Sequence, residues 1–237
     1  MKEQIDKLKS FLKIVGLSGD RTISEMVFEL EKDSIKTISK SLDQSTALLG
    51  VIKTNPFNIG GKLGIANLQK FVQYLDLIEI KSFKIENNRI IIKGKDKKAS
   101  ILLKKPEFIV DTVADCKLYD KLLNILTDGI SFKIDVDKLK VIENYMKITT
   151  SDYFNLIVSN KLLKIEVGTN NTDKINEDIE INYNGDKEIK IALKTAFIDA
   201  IKNINGEVII TIKEGAPVKV SINNDDLSID FLIAQAG

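Results

Sequence analysis

Histidine and tryptophan are absent from this chain of 237 residues, and cysteine occurs only once. Without histidine, the chain lacks the commonest general acid–base catalyst and a leading zinc ligand. The single cysteine, Cys116, excludes an internal disulfide and is consistent with a reducing compartment. These absences exclude the commonest catalytic and disulfide-based chemistries.

Nucleotide-binding and nucleophile motifs are also missing. Gly60-Gly61-Lys62 and Gly64 lack the spacing of a Walker A loop and the serine or threonine that follows its lysine, so the glycines indicate a turn or bulge. A serine or threonine nucleophile would need a lysine base, and no motif indicates one. The pair Asp225-Asp226 is typical of a turn. We therefore expect no catalytic residue, no metal ligand and no cofactor, and predict that the chain is not an enzyme.

Long apolar segments are missing as well. The sequence has neither an apolar run of about 18 residues nor a secretory signal pattern, so we expect no membrane association and a cytoplasmic location. Its length suits two domains of ordinary size, each with its own core.

A repeated sequence motif indicates that the two domains are related. Ile5–Lys9 read Ile-Asp-Lys-Leu-Lys, and 131 positions later Val136–Lys140 read Val-Asp-Lys-Leu-Lys, each within an amphipathic helical stretch. The chain is therefore interpreted as one unit written twice.

The second copy carries the clearer pattern. Two helices with apolar residues three and four positions apart are predicted at Val136–Ile148 and Thr195–Ile204, with Thr195 as the N-cap. Alternating apolar and polar residues predict strands around them. The predicted strands are Ser131–Asp135, Tyr153–Val158, Leu162–Val167, Asp178–Asn184, Glu188–Leu193, Glu207–Lys213, Val218–Ile222 and Leu227–Ala234. This order is βαβββ twice.

The first copy shows a similar order of helices and strands, but its sequence pattern is less clear. Helices are predicted at Lys2–Val15 and Ala66–Leu75. The predicted strands are Glu25–Leu30, Ile35–Ser39, Leu48–Thr54, Ile78–Ile85, Arg89–Gly94 and Ser100–Lys104. We thus expect an α+β fold of four βαβββ units in two repeated domains, residues 1–105 and 130–237, joined by a connector at 106–129. The helical stretch Leu118–Leu126 in this connector either packs simply as a linker or borders a docking groove.

Charge is distributed unevenly between helices and strands. The net charge is only +1, yet the four predicted helices, with Lys194 counted at the start of the last one, carry ten lysines and five acids, which leaves the rest of the chain at −4. Most of these lysines fall opposite the apolar stripes of their helices. They form either ordinary solvated faces or, if the helices share one concave surface, a basic lining suited to phosphates.

The repeated βαβββ order, the connector near residues 105–129, the lysine-bearing helices and the closing strand Leu227–Ala234 resemble a two-domain DNA sliding clamp, similar to proliferating cell nuclear antigen. The run Ser131–Gly168 most resembles the processivity clamps of tailed phages. The first copy departs from the pattern, since no strand is evident ahead of its helix at Lys2.

The resemblance implies the DNA clamp fold, a homotrimeric ring with sheets outside and helices lining the hole, which raises polymerase processivity by encircling duplex DNA without reading its sequence. It implies the replicative DNA polymerase and a clamp loader as partners and, for a phage protein, the cytoplasm of a bacterial host. The DNA-facing candidates are Lys7, Lys9, Lys13, Lys70, Lys138, Lys140, Lys147, Lys194 and Lys202. The candidates for binding partner peptides are Phe108, Ile109, Val110, Leu232, Ile233 and Ala234, each of which is equally compatible with a place in the core.

Two alternatives stay open from the sequence. One is a monomeric or dimeric processivity factor of the same fold, which holds DNA electrostatically. The other is a β-rich structural or assembly protein in which the repeats serve packing. For a ring, edge strands must join the subunits, and the sequence offers Arg89–Lys104 or Leu48–Thr54 on one side and Leu162–Ile181 on the other.

Overall fold

A computed structural model describes residues 1–17, 23–109, 116–168 and 173–236. The chain divides into two units, Met1–Ala114 with Asn223–Ile229 and Asp115–Ile222 with Asp230–Gly237. The division falls inside the predicted connector. The segment Asn223–Ile229, which the sequence assigned to the second domain, groups with the first unit. The predicted α+β class is confirmed. The strand pairs whose residue register is defined among the described residues are all antiparallel.

The described residues of unit 1 form two α-helices and seven strands of its own. The helices are α1 (Lys2–Val15) and α2 (Leu68–Leu77). The strands are β1 (Met26–Leu30), β2 (Ile35–Lys40), β3 (Thr46–Ile52), β4 (Gly61–Ile65), β5 (Ile80–Glu86), β6 (Arg89–Gly94) and β7 (Lys98–Lys104). A short 3₁₀ helix, Pro106–Phe108, follows β7. The strands are ordered β5-β6-β7-β4-β1-β2-β3, and Leu227–Ile229, the start of a later strand, lies beside β3.

The apolar face of α1 explains its position on the sheet. Ile5, Leu8 and Leu12 recur at helical spacing and are buried, as is Phe11. Phe11 packs over Gly50 of β3, where an added Cβ would lie 2.9 Å from its ring. Because Gly50 has no side chain, helix α1 can pack closely against β3. Helix α1 also contacts α2.

In the described part of unit 2 there are four helices and eight strands, the last of which begins in unit 1. The helices are α3 (Cys116–Ile125), α4 (Asp137–Lys140), α5 (Ile142–Thr149) and α6 (Thr195–Ile201). The strands are β8 (Ile130–Asp135), β9 (Tyr153–Ser159), β10 (Leu162–Val167), β11 (Ile175–Glu180), β12 (Ile189–Lys194), β13 (Glu207–Ile212), β14 (Val218–Asn223) and β15 (Leu227–Ile233).

Two sheets form the body of unit 2. One is ordered β8-β13-β14-β15 and the other β11-β10-β9-β12. Helices α4, α5 and α6 contact one another and the strands, and Phe154 of β9 meets Phe197 of α6 with ring centroids 5.7 Å apart. As in unit 1, the helices of the repeat pack together on buried strand faces.

The element order contains the predicted repeat. Strand, helix and three strands follow one another in β8 to β11, in β12 to β15 and in β4 to β7, while the first repeat begins directly with α1. No helix in the described part of the chain is long and apolar enough to cross a membrane.

Several boundaries differ from the sequence-based prediction. The helix predicted at Val136–Ile148 is two helices that meet at Val141, and α5 ends at Thr149, followed by the C-cap Thr150, whose φ of 49° is left-handed. Helix α2 starts two residues later than predicted because the Asn67 side chain accepts a hydrogen bond from the Lys70 amide, 2.8 Å away, and caps it. Thr195 is the first residue of α6, after the N-cap Lys194.

The turn predicted at Gly60-Gly61 is partly wrong, because Gly61 begins a strand, β4, that the sequence did not reveal. Gly64 pairs with Lys104 of β7, and an ideal Cβ on Gly64 would lie 2.1 Å from the Lys104 carbonyl oxygen. Glycine is needed at position 64 because the two backbones approach closely. From sequence alone, such a glycine resembles a turn residue.

We therefore expect Gly64→Ala to destabilise unit 1 by about 1–3 kcal/mol, the usual cost of overpacking. The matched control is Gly60→Ala, because the nearest atom to its added Cβ lies 3.7 Å away. Chemical denaturation should show a lower midpoint for Gly64→Ala and an unchanged or slightly higher one for the control. Equal midpoints for the two variants would show that β4 and β7 do not approach as described.

Candidate nucleic-acid interface

The lysines of α1 are held by carboxylates of unit 1. Lys7 Nζ lies 2.9 Å from Glu3 and 2.8 Å from Asp226, and its hydrogen bond to Asp226, more than that to Glu3, raises the pKa of Lys7. Lys9 and Lys13 both face Asp76 at the end of α2, at 3.3 and 3.9 Å. The three charges are thus largely neutralised within the protein.

The first turn of α1 borders an open cavity of about 800 Å³ that is acidic on balance. Four carboxylates line it against two lysines, Lys2 and Lys7; they belong to Glu3, Asp6, Asp225 and Asp226. The excess of carboxylates makes this end of the helix unfavourable for phosphates.

Lys70 on α2 is exposed and has no ion pair among the described residues. Its ammonium group lies 6.0 Å from the centroid of the Tyr74 ring, at the outer limit of a cation–π contact. A charge held this loosely remains available to an anionic ligand.

The unit 2 candidates fall into two groups. Lys140 contacts Asp137 at 2.9 Å and the Ile204 carbonyl at 2.7 Å. Lys147 and Lys202 share Glu143, at 2.8 and 3.6 Å, and the Lys147 contact in particular lowers the pKa of that carboxyl group.

Lys138 and Lys194 form the second group. Both are exposed, and neither has an ion pair among the described residues. Together with Lys70, they are the best available cations among the nine candidates. The helix charge counted from sequence therefore overstates the positive field, because it omits Asp76 of α2 and the carboxylates that the fold brings to the lysines.

The candidate partner-binding residues are divided between the units. In unit 1, Phe108 is exposed by 62% and Ile109 is buried, while Val110 lies outside the described residues. In unit 2, Leu232 and Ile233 are buried and Ala234 is exposed. Among the described members of this set, Phe108 and Ala234 are thus the ones that a partner can reach without disturbing the core.

A cluster that the sequence did not reveal surrounds Glu166 on β10. Leu163, Ile165 and Val167 of this strand are buried, so Glu166 points to the opposite side from them, yet it is itself only 8% exposed. Three ammonium groups contact its carboxylate, those of Lys164 at 3.3 Å, Lys174 at 3.2 Å and Lys190 at 3.1 Å. Burial opposes ionisation, but the hydrogen bonds from Lys190, Lys174 and Lys164 outweigh it and lower the pKa of Glu166 to about 2.

The largest excess of positive charge in unit 1 lies on strands. The segment Ile80–Lys104, which comprises β5, β6 and β7 and is called here the basic module, contains eight basic residues and two acids. In unit 2, β11 is acidic, with Glu177, Asp178 and Glu180 and no basic residue. The sequence pattern contained both features, but a count restricted to helices did not show them.

The described residues contain no cluster of histidine, cysteine, aspartate or glutamate able to hold a metal ion. No protein-family model matches this chain, and no curated protein matches it either.

The Glu166 cluster generates a pH prediction. Its folded pKa of about 2 is below the ordinary value of 4.5, so the cluster adds stability that is fully present above pH 4.5 and is lost as pH falls towards 2. We expect Glu166→Gln to lower the free energy of unfolding at pH 7 by on the order of 2–3 kcal/mol.

Denaturant titrations at pH 7 and near pH 2 check this. The difference in free energy of unfolding between Glu166→Gln and the parent protein should disappear near pH 2. The exposed control Glu188→Gln should differ little from the parent protein at either pH. A gap that is independent of pH would mean that ionisation of Glu166 contributes nothing.

Proposed function

We propose that this protein is a DNA sliding clamp, a processivity factor without catalytic activity of its own that encircles duplex DNA as a homotrimer. The observation that carries the proposal is the repeated element order, with the repeat helices of each unit packed together. The exposed lysines Lys70, Lys138 and Lys194 lie on or beside these helices and supply charge for phosphates.

Lysine suits a clamp that must slide. A flexible ammonium group contacts phosphate as a point charge, and phosphate contacts carry no sequence information. The ion pairs of Lys7, Lys9, Lys140 and Lys147 weaken DNA contacts further. A ring gains from weak contacts because enclosure, and not affinity, keeps it on DNA.

Strand edges support a head-to-tail assembly. Of the edges that the sequence offered, β3 has neighbours on both sides and so does β6. Strand β7 pairs with β4 only through Leu103 and Lys104, which leaves Lys98–Leu102 with one edge open among the described residues. Strand β11 pairs only with β10 in the same described part. We assign the subunit contact to these two edges.

The charges of the two edges are complementary. On one face of β7, Lys98, Ser100 and Leu102 are exposed, and Leu102 is 59% accessible. On β11, Asp178 and Glu180 are exposed, while the inward Glu177 accepts a hydrogen bond from Tyr145 of α5 at 2.8 Å. An interface between different edges closes into a ring when the rotation allows it.

Partners and location follow from the same proposal. The replicative polymerase and a clamp loader would dock through short apolar segments, for which Phe108, 62% exposed, is an accessible anchor among the described residues of the predicted set. The site of action would be the cytoplasm, of a bacterial host if the protein is phage-encoded.

One observation favours the monomeric or dimeric alternative. Much of the positive charge lies in the basic module, while most candidate helix lysines have carboxylate partners. A clamp-fold factor that binds DNA electrostatically through the basic module would not need a ring. The two functions differ in which lysines matter and in oligomeric state.

We expect simultaneous replacement of Lys70, Lys138 and Lys194 by glutamate to reduce loading on DNA while folding and assembly stay intact. Each exposed charge contributes on the order of 1 kcal/mol or less, so the triple variant is needed. The deficit should shrink as salt rises, because the lost contacts are phosphate contacts. Electrophoretic or fluorescence measurement of loading at several salt concentrations checks it.

The control for this triple variant replaces Lys36, Lys53 and Lys95 by glutamate. Lys36 lies on the side of β2 opposite the buried Ile35 and Thr37, and Lys53 and Lys95 are exposed outside strands. If the control set impairs loading as much as the helix set does, the assignment of the helices to the DNA-facing surface is wrong.

The assembly is tested by exchanging charges across the proposed contact. Lys98→Glu or Asp178→Lys alone should weaken the trimer by placing like charges opposite each other, and the double variant should recover much of the loss. Sedimentation equilibrium at micromolar concentration should show three chains for the parent protein and a lower mass for each single variant. A parent protein that stays monomeric at high concentration would favour the electrostatic alternative.

A further inference from the structure

Within the described part of the chain, the outer edge of β5 lacks the neighbour that its counterpart in unit 2 possesses. Strand β5 follows α2 as β13 follows α6, so the two strands hold equivalent places in their units. Strand β13 is paired on both sides, with β8 and β14, whereas β5 pairs only with β6 among the described residues. Unit 2 thus shows what a complete sheet looks like at this position.

The missing neighbour leaves apolar surface uncovered. On β13, the inward residues Val208, Ile210 and Ile212 are at most 1% exposed. On β5, Phe83 and Ile85 are only half-buried, although their partners on β6, Ile92 and Ile90, are fully buried. An additional strand beside β5 would cover Phe83 and Ile85 and so remove this difference in burial.

The opposite face of β5 sets the chemistry of such a strand. Lys84 projects there, is 59% exposed on its side chain and contacts only Glu86 among the described carboxylates. The basic module around it has eight basic residues and two acids. Side chains that an added strand places on this face meet positive charge, so carboxylates are favoured.

We propose that the open edge of β5 (Ile80–Glu86) is a docking site for an extended acidic segment of a partner protein, which adds to the sheet as an antiparallel strand. Apolar residues at alternate positions lie against Phe83 and Ile85, and carboxylates between them face Lys84. Strand β8 on β13 is the template, with Phe132 and Ile134 opposite Ile210 and Val208. Main-chain hydrogen bonds supply affinity in this mode and the alternate side chains supply specificity.

A second copy of the chain is a poorer occupant of this edge. Pairing two β5 strands would bring two basic modules together, each with a large excess of lysine, and like charges placed opposite each other are destabilising. The proposed site is also separate from the clamp function, since it uses neither the helix lysines nor the edges of β7 and β11. An experiment can therefore contradict the proposed docking site without contradicting the sliding-clamp proposal, and the sliding-clamp proposal can fail without affecting the docking site.

The probe is a fluorescently labelled synthetic peptide of alternating valine and glutamate, used with the full chain. Fluorescence anisotropy should show saturable binding, and amide hydrogen exchange should show new protection within Ile80–Glu86. Lys84→Glu should weaken binding by about fivefold, because a cross-strand attraction becomes a repulsion of roughly 1 kcal/mol. The control Lys219→Glu makes the same charge change on β14, which is paired on both sides, and should leave binding unchanged.

Peptides methylated on alternate backbone nitrogens separate strand addition from general charge attraction. One of the two complementary methylation patterns should abolish binding and the other should preserve it, because only one edge of the peptide bonds to β5. No binding at millimolar peptide, protection at another strand, equal loss for Lys84→Glu and Lys219→Glu, or equal loss for both methylated peptides would each overturn the proposal. Self-association through β5, seen as assemblies that Lys84→Glu changes in the absence of peptide, would overturn it too.

Discussion

Main-chain hydrogen bonding at sheet edges is the constraint on which the proposed assembly depends. Antiparallel sheets leave a row of N–H and C=O groups at each edge, and a protein must cover, shorten or pair these rows. Strand β12 is partly covered by the tail, since the Ala236 amide donates to the Ala192 carbonyl, and β8 receives the Asn182 side chain at the Lys133 amide. The edges of β7, β11 and β5 have no such cover among the described residues. We interpret the edges of β7 and β11 as complementary to each other in neighbouring subunits, and the edge of β5 as a place for another protein.

Electrostatics within the fold bears on the proposed binding of DNA by a nearly neutral protein. Carboxylates such as Asp76, Glu143 and Asp226 neutralise several helix lysines and leave a few exposed charges. Strong cationic helices would hold DNA tightly and slow sliding, whereas partly neutralised ones permit movement. Exposed ion pairs of this kind add little to stability, so their main effect is on the surface potential.

The regular elements were largely predictable because they depend on local pattern. Helix α1 has the predicted bounds, since its apolar spacing and the residues around it agree. The sequence missed β4 because Gly64, which a close backbone approach requires, resembles a turn signal. It also missed the ion pairs, because Lys7 and Asp226 are far apart in the chain and meet only after folding. The Glu166 cluster, with lysines from β10, β12 and the segment before β11, has the same origin.

Topological retention on DNA tests the central claim most directly. The protein is mixed with linear duplex DNA so that rings can thread over the ends, the ends are ligated, and the circles are separated in salt that screens phosphate contacts. The account predicts that protein stays with the ligated circles and is released when a restriction enzyme reopens them. Loss of protein from the closed circles, or retention that survives linearisation, would contradict enclosure of DNA by a ring.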